Sequence, residues 1–229
     1  MVKFKNTELV NLLKVMLDSD IDVFSEENLL QIEELNLNAR NFVGEYNFID
    51  LNELKYFKNL KTLKLSNMDI SEEDIEILKT FKLLKDISFM TCNFDKCEKL
   101  ADLKLEKLAL NDCSIDDESF IYKMKELKEL VVIKGFLNFA KMKEFNYLLK
   151  LDIASSTVIN VGEINLPKLK EFIINFSNIE DLNFVLKLNT IKKISISGDQ
   201  IQNNENILHT LFTNGVDIYE NNMIKYRED

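Results

Sequence analysis

The softest and most nucleophilic side chains of this 229-residue chain are three thiols and one imidazole: Cys92, Cys97, Cys113 and His209. Thiols can close a disulfide, hold a metal or attack an electrophile, and each role makes a demand on number and spacing. A structural zinc site needs four ligands at short paired intervals, and His209 lies far along the chain from the cysteines. An odd count leaves one thiol over, and the spacing suits a reducing compartment, so the three are expected to pack as small buried hydrophobes. His209 falls in the helix-like stretch NENILHTLF and is expected at the surface. Carboxylates are plentiful but scattered. The tight runs Glu72-Glu73-Asp74 and Asp116-Asp117-Glu118 read as helix starts, where the helix dipole accounts for them. Five glycines, at 44, 135, 162, 198 and 215, never cluster into a phosphate-cradling loop. No catalytic residue, no metal site and no cofactor is expected, and the chain does not read as an enzyme.

Charge narrows the partners. The formal net charge is −10, and lysines are interleaved with Glu and Asp throughout, whereas a phosphate backbone calls for a concentrated basic face. No nucleic acid is expected. No membrane is expected either: the richest apolar stretch, Val131 to Ala140, is broken by Lys134 and Gly135, far short of the roughly 18 residues of a span. The opening MVKFKNTELV lacks the apolar core of a signal peptide, so the expected compartment is the cytoplasm, with a secreted or surface location the alternative if a leader has been trimmed.

The elements that must position any functional side chain announce themselves as a repeat. An apolar residue is followed by apolar residues three, five and ten positions later, as in Leu84-x-x-Ile87-x-Phe89-x-x-Cys92-x-Phe94 and Leu105-x-x-Leu108-x-Leu110-x-x-Cys113-x-Ile115. Nine copies begin at Ile32, Leu60, Leu84, Leu105, Leu127, Leu148, Leu169, Ile191 and Thr213. Alternation at the fourth and sixth positions predicts a short strand with one buried face. Apolar residues every three positions afterwards, as in Ile179, Leu182, Val185 and Leu188, predict a short helix or 3₁₀ turn behind it. No unit can bury both stripes alone, so neighbours must stack and their strands must form a parallel sheet.

This phrase resembles the leucine-rich-repeat consensus L-x-x-L-x-L-x-x-N/C-x-L over about residues 32 to 223, and the unit of 21 or 22 residues is most similar to the bacterial internalin type. The resemblance implies an α/β solenoid: a curved parallel sheet on the concave face, short helices or 3₁₀ turns on the convex face, and a helical N-terminal cap. Residues 1–31 would be the cap and 32–229 the repeats with a polar C-terminal tail, in one continuous domain. Ser25 reads as an N-cap in the cap segment and Ser71 as another in the second repeat. Gly44-Glu45-Tyr46-Asn47 reads as a protruding loop, Gly215 as a helix C-cap, and NNMIKYRED as a tail shielding the last strand edge. The family places Asn at the ninth position; here stand Arg40, Met68, Cys92, Cys113, Gly135, Ser156, Ser177, Asp199 and Asn221. Met68 and Gly135 cannot make the amide's hydrogen bonds, which predicts an irregular ladder near repeats two and five.

Strand alternation sends the third, fifth and seventh positions onto the concave face. Most are small or polar, and the apolar ones gather mid-chain: Met90, Ala109, Val131, Ile133, Ala154 and Ile173. Phe136 and Phe176, just past their strands, extend that patch along one rim. Lys107, Asp112, Glu129, Lys134, Lys150, Asp152 and Glu171 frame it, an apolar centre with a polar rim. The reading is a protein–protein interaction module binding an unidentified protein at Met90, Ala109, Val131, Ile133, Phe136, Ala154, Ile173 and Phe176. The alternatives are a weak homo-oligomer with a scaffold role, or an inhibitor or immunity-type protein for a cognate partner.

Overall fold

The computed structural model describes residues 1–38, 50–221 and 223–226, so Arg40 and the segment Gly44 to Asn47 lie outside the described residues. Nine strands pair in parallel, one per repeat, in chain order: Glu34–Asn38, Thr62–Ser66, Asp86–Met90, Lys107–Asn111, Glu129–Ile133, Lys150–Asp152, Glu171–Ile173, Lys193–Ile196 and Asp217–Glu220. The fourth- and sixth-position side chains of each (Leu63 and Leu65, Ile87 and Phe89) point inward and are fully buried. Behind the strands run short 3₁₀ turns such as Leu51–Tyr56, Glu118–Lys123 and Asn183–Lys187, with a true helix at Glu72–Leu78. Ser71 and Asp74 form its reciprocal capping box, each side chain accepting the other's backbone N–H. One hydrophobic core runs without interruption from Val2 to Ile218. The N-terminal helix Thr7–Leu17, capped by Asn6, and the turn Glu26–Leu29, capped by Ser25, close one end of it.

The chain leaves each strand through the same backbone device. The eighth residue of six successive repeats (Asn67, Thr91, Asp112, Lys134, Ser155 and Phe176) has φ between 53° and 58°. Left-handed backbone costs a non-glycine residue about 1 kcal/mol, most for a β-branched one such as Thr91. The return is continued pairing: Asn67, Thr91, Asp112, Lys134 and Ser155 each donate their N–H to the seventh-position carbonyl of the next repeat, at 2.8 to 3.2 Å. The ninth residue then turns inward. Cys92 reaches the Leu65 and Met90 carbonyls at 3.5 Å, Cys113 those of Phe89 and Asn111 at 3.5 Å, and Ser156 those of Val132 and Ala154 at 2.6 and 3.3 Å. Thiol and hydroxyl thus occupy one geometry. Gly135 has no side chain to offer, and strands shorten from five residues to three just beyond it.

The last two repeats differ from expectation. Asp199 does not lie in a bend: Ser197 starts the helix Gly198–Asn203 there, capped through Gln200. A second helix, Glu205–Thr213, follows and ends in a Schellman turn, with Gly215 at φ 75°, Gly215 N–H bonding Phe212 and Val216 N–H bonding Leu211. These helices lengthen the unit, and Ile218 pairs with Ile194. The ninth repeat therefore starts two residues later than Thr213, and Tyr219 takes the fifth position rather than the seventh. Residues Met223–Tyr226 pair antiparallel with the last parallel strand and cover its edge.

Candidate functional site

In-register pairing turns each odd position into a row across the concave face. From Asp86 onward the third-position row alternates in sign at every strand: Asp86, Lys107, Glu129, Lys150, Glu171, Lys193, Asp217. Lys107 lies 3.7 Å from Asp86 and 3.5 Å from Glu129, while Glu171 is held by Lys193 at 3.0 Å and Lys150 at 3.4 Å. Opposite charges directly across strands stabilise a sheet by roughly 0.2–1 kcal/mol each. The frame read from the sequence is therefore largely self-neutralising. Its alternation was legible at the third positions once strands were aligned.

The environments along this row are unequal. Burial alone would raise the Glu171 carboxyl, but the Lys193 hydrogen bond and the Lys150 charge outweigh it and hold Glu171 below the usual range. Burial pushes Asp86 upward, with Lys107 offsetting only part, and Asp86 Oδ1 is buried with no hydrogen-bond partner among the described residues. Asp152, next to the apolar patch, is also pushed up by burial despite accepting the Ala154 N–H at 3.1 Å.

The predicted patch divides into three groups. Met90 (45% exposed), Val131, Ile133 and Ala154 lie on the sheet face with accessible side chains. Ala109 and Ile173 are on the same face but only 8% and 6% exposed, largely covered by their neighbours. Phe176 is 65% exposed at the strained eighth position and marks the rim. Phe136, 38% exposed, begins a second, two-stranded sheet, Phe136–Asn138 with Thr157–Ile159, and lines a cavity of about 250 Å³ with Leu110, Cys113, Ile115, Val132 and Gly135. Beyond Ile173 the face turns polar and closed: Ser195 donates to Asn175 Oδ1 at 3.1 Å, both buried, and Lys193 Nζ sits 4.6 Å from the Tyr219 ring centre.

No protein-family model matches the chain, and no curated protein sequence does. Solved structures do share its backbone path. An internalin (inlF) from Listeria monocytogenes strain 4b F2365 superposes with a TM-score of 0.64 at 22% identity, over 85% of this chain and 56% of that one. The chain thus spans little more than half of that structure. An internalin C2 (inlC2) of the same strain gives 0.59 at 17% identity, over 84% and 94%. The fold is that of the leucine-rich-repeat proteins. TLR13, in its complex with ssRNA13, is similar over 85% of this chain and 31% of its own, with a TM-score of 0.56 at 18% identity. The leucine-rich-repeat solenoid makes the concave sheet a rigid display, with side chains fixed by a backbone that bonds on both sides.

Among the described residues no group of three or more His, Cys, Asp or Glu side chains is placed to hold a metal ion, and no helix is long and apolar enough to cross a membrane. His209 is exposed on its helix. Cys97 is buried, donates toward the Asp117 carbonyl at 3.4 Å, and burial pushes its thiol up to about 11.

Proposed function

We propose that this chain is a non-enzymatic recognition module that binds a protein on its concave face, through Met90, Val131, Ile133, Ala154 and the rim residue Phe176. The observation that carries the reading is a cluster of accessible apolar side chains on a preorganised sheet, bordered by charges already paired with one another. A partner need not strip water from unpaired ions there, and the sheet loses little freedom on binding. The same pairing weighs against a nucleic-acid ligand such as the one named in the TLR13 complex. Lys64, Lys107, Lys134, Lys150 and Lys193, the lysines of this face and rim, each have a carboxylate within 4 Å.

The test uses Val131→Glu with Ile133→Glu, since a charge at Ile173 would be buried and would report on folding instead. Tagged wild type and double mutant are incubated in parallel with lysate of the source cell, after far-UV circular dichroism shows equal folding. A protein retained by the wild type and lost by the mutant supports the reading. Equal retention by both overturns it. Light scattering on the two proteins separates self-association, in which case the mutant alone is monomeric.

A further inference from the structure

The bend between repeats three and four holds two thiols side by side. Asn93 and Ser114 pair as a parallel bridge and Ser114 N–H donates to the Cys92 carbonyl at 3.0 Å, so Cys92 and Cys113, one residue earlier in each repeat, lie opposite one another. Neighbouring parallel strands are about 4.8 Å apart, inside the 4.4–6.8 Å that Cα atoms of a disulfide span. Each thiol makes the same pair of long carbonyl contacts, one to its own strand and one to the preceding repeat. These S–H···O contacts at 3.5 Å are weak, and either can be given up.

What distinguishes this pair from an ordinary buried ladder is access. Cys92 is fully buried, but Cys113 is only half-buried and lines the 250 Å³ cavity that opens beside Gly135. In the next bend of that kind, Ser156 fills its site and donates to the Val132 carbonyl. At Gly135 there is no side chain, and Val132 takes that space: a methyl there would sit 2.5 Å from Val132 Cγ1. The cavity that Cys113 and Gly135 both line is the path for a small solute to the Cys113 sulfur.

We propose that Cys92 and Cys113 form an oxidisable dithiol that a hydroperoxide, entering by the cavity beside Gly135, converts to a disulfide joining repeats three and four. The peroxide O–O bond breaks as the Cys113 sulfur takes one oxygen and becomes a sulfenic acid, and the peroxide leaves as an alcohol or, from hydrogen peroxide, as water. The Cys92 sulfur then attacks that of Cys113; the S–O bond breaks and hydroxide departs, taking up the thiol proton as water. Two thiols are oxidised by two electrons and one peroxide is reduced. The electrostatics agree with the geometry. An anion on one sulfur accepts the S–H of the other, which brings Cys92 down to about 7 and holds the second proton of the pair well above the usual thiol range. The pair therefore loses one proton readily. Cys97, whose thiol is raised by burial, is left out.

The experiment treats the reduced native protein with a few equivalents of hydrogen peroxide and follows the intact mass, then maps non-reduced peptides. The expected product is a monomer lighter by two hydrogens, with Cys92 linked to Cys113, restored by dithiothreitol. Cys97→Ser should form it at the wild-type rate, while Cys113→Ser should not form it and should keep its circular dichroism. In the reduced native protein, N-ethylmaleimide should label Cys113 at least tenfold faster than Cys92 or Cys97. A disulfide mapped to another pair or between molecules would overturn the proposal. So would Cys113 accumulating as sulfinic acid, or thiols that survive peroxide when folded and react only in urea.

Discussion

Before and after Gly135 the solenoid closes its bends with different chemistry. On the N-terminal side, from Glu34 to Ile133, strands are five residues long, and the inward residues at the bends are Met68, Cys92 and Cys113. Few polar groups are buried there, Ser66 and Asp74 among them. On the C-terminal side strands are three or four residues long, and Ser156, Asn175, Ser195, Ser197, Gln200 and Asn204 are all buried. The change has a local cause at Asp152. Its carboxylate accepts the N–H of Ala154, two residues on, and a side chain that bonds its own backbone competes with the ladder. Where the ladder is long, backbone groups satisfy one another and a thiol suffices. Where it is short, side-chain amides must take up the backbone groups that it leaves, because a buried N–H or C=O without a partner is costly.

The sharpest way to break this comparison is at Asn204. Its Oδ1 accepts the Leu182 N–H at 3.0 Å, and its Nδ2 donates to the Glu180 and Gln200 carbonyls at 2.7 and 2.8 Å. Asn204→Ala strands two buried backbone groups and the partly exposed Glu180 carbonyl, and should cost about 3 kcal/mol, read as a lower urea midpoint at unchanged slope. The equivalent deletion in the dry half, Cys92→Ala, removes only weak S–H···O contacts and a small buried volume, and should cost about 1 kcal/mol. If the two losses were equal, the bends would not differ in chemistry as their side chains suggest. Between them stands Gly135→Ala. The new methyl must displace Val132 Cγ1, which overpacks the boundary by about 2 kcal/mol. Combined with Val132→Ala, it should cost less than the sum of the two single changes, since the smaller side chain removes the clash.

Much of the fold was legible because burial imposes it. Nine apolar phrases became nine strands, Ser25 and Ser71 became N-caps, and Gly215 took the left-handed C-cap. What escaped was set by neighbours rather than by pattern. The ninth repeat is shifted by two residues because the helices Gly198–Asn203 and Glu205–Thr213 lengthen the preceding unit, and apolar Val216 and Ile218 fit either register. On the candidate face, alternation correctly sends Ala109 and Ile173 outward, but it carries no information on crowding, which decides that they are buried while Met90 is not. Phe136 could not be placed from its sequence, because the short second strand it begins has no periodicity to detect.

The charge row across the concave face offers the finest test, because one carboxylate from each half is perturbed in opposite directions. Asp86, on the N-terminal side, is raised by burial and has a single lysine at 3.7 Å; Glu171, on the C-terminal side, is lowered, with lysines at 3.0 and 3.4 Å. A raised carboxyl binds its proton more tightly when folded, so ionised Asp86 opposes folding, and its protonation relieves that as pH falls through its raised value toward the unfolded one near 3.9. Asp86→Asn should therefore be slightly more stable than wild type at neutral pH, with the difference shrinking as pH falls through that window. Glu171 has the opposite sign: its ionised form favours folding above the unfolded value near 4.3, and that contribution is lost as pH drops through its lowered folded value. Glu171→Gln should be slightly less stable at neutral pH and converge on wild type in acid. Both effects should be smaller than that of any substitution at the bends, because both side chains keep part of their solvent contact and salt screens them. Their opposite signs in thermal melts between about pH 3 and 7 make the comparison decisive, since a general effect of net charge would move the two variants the same way.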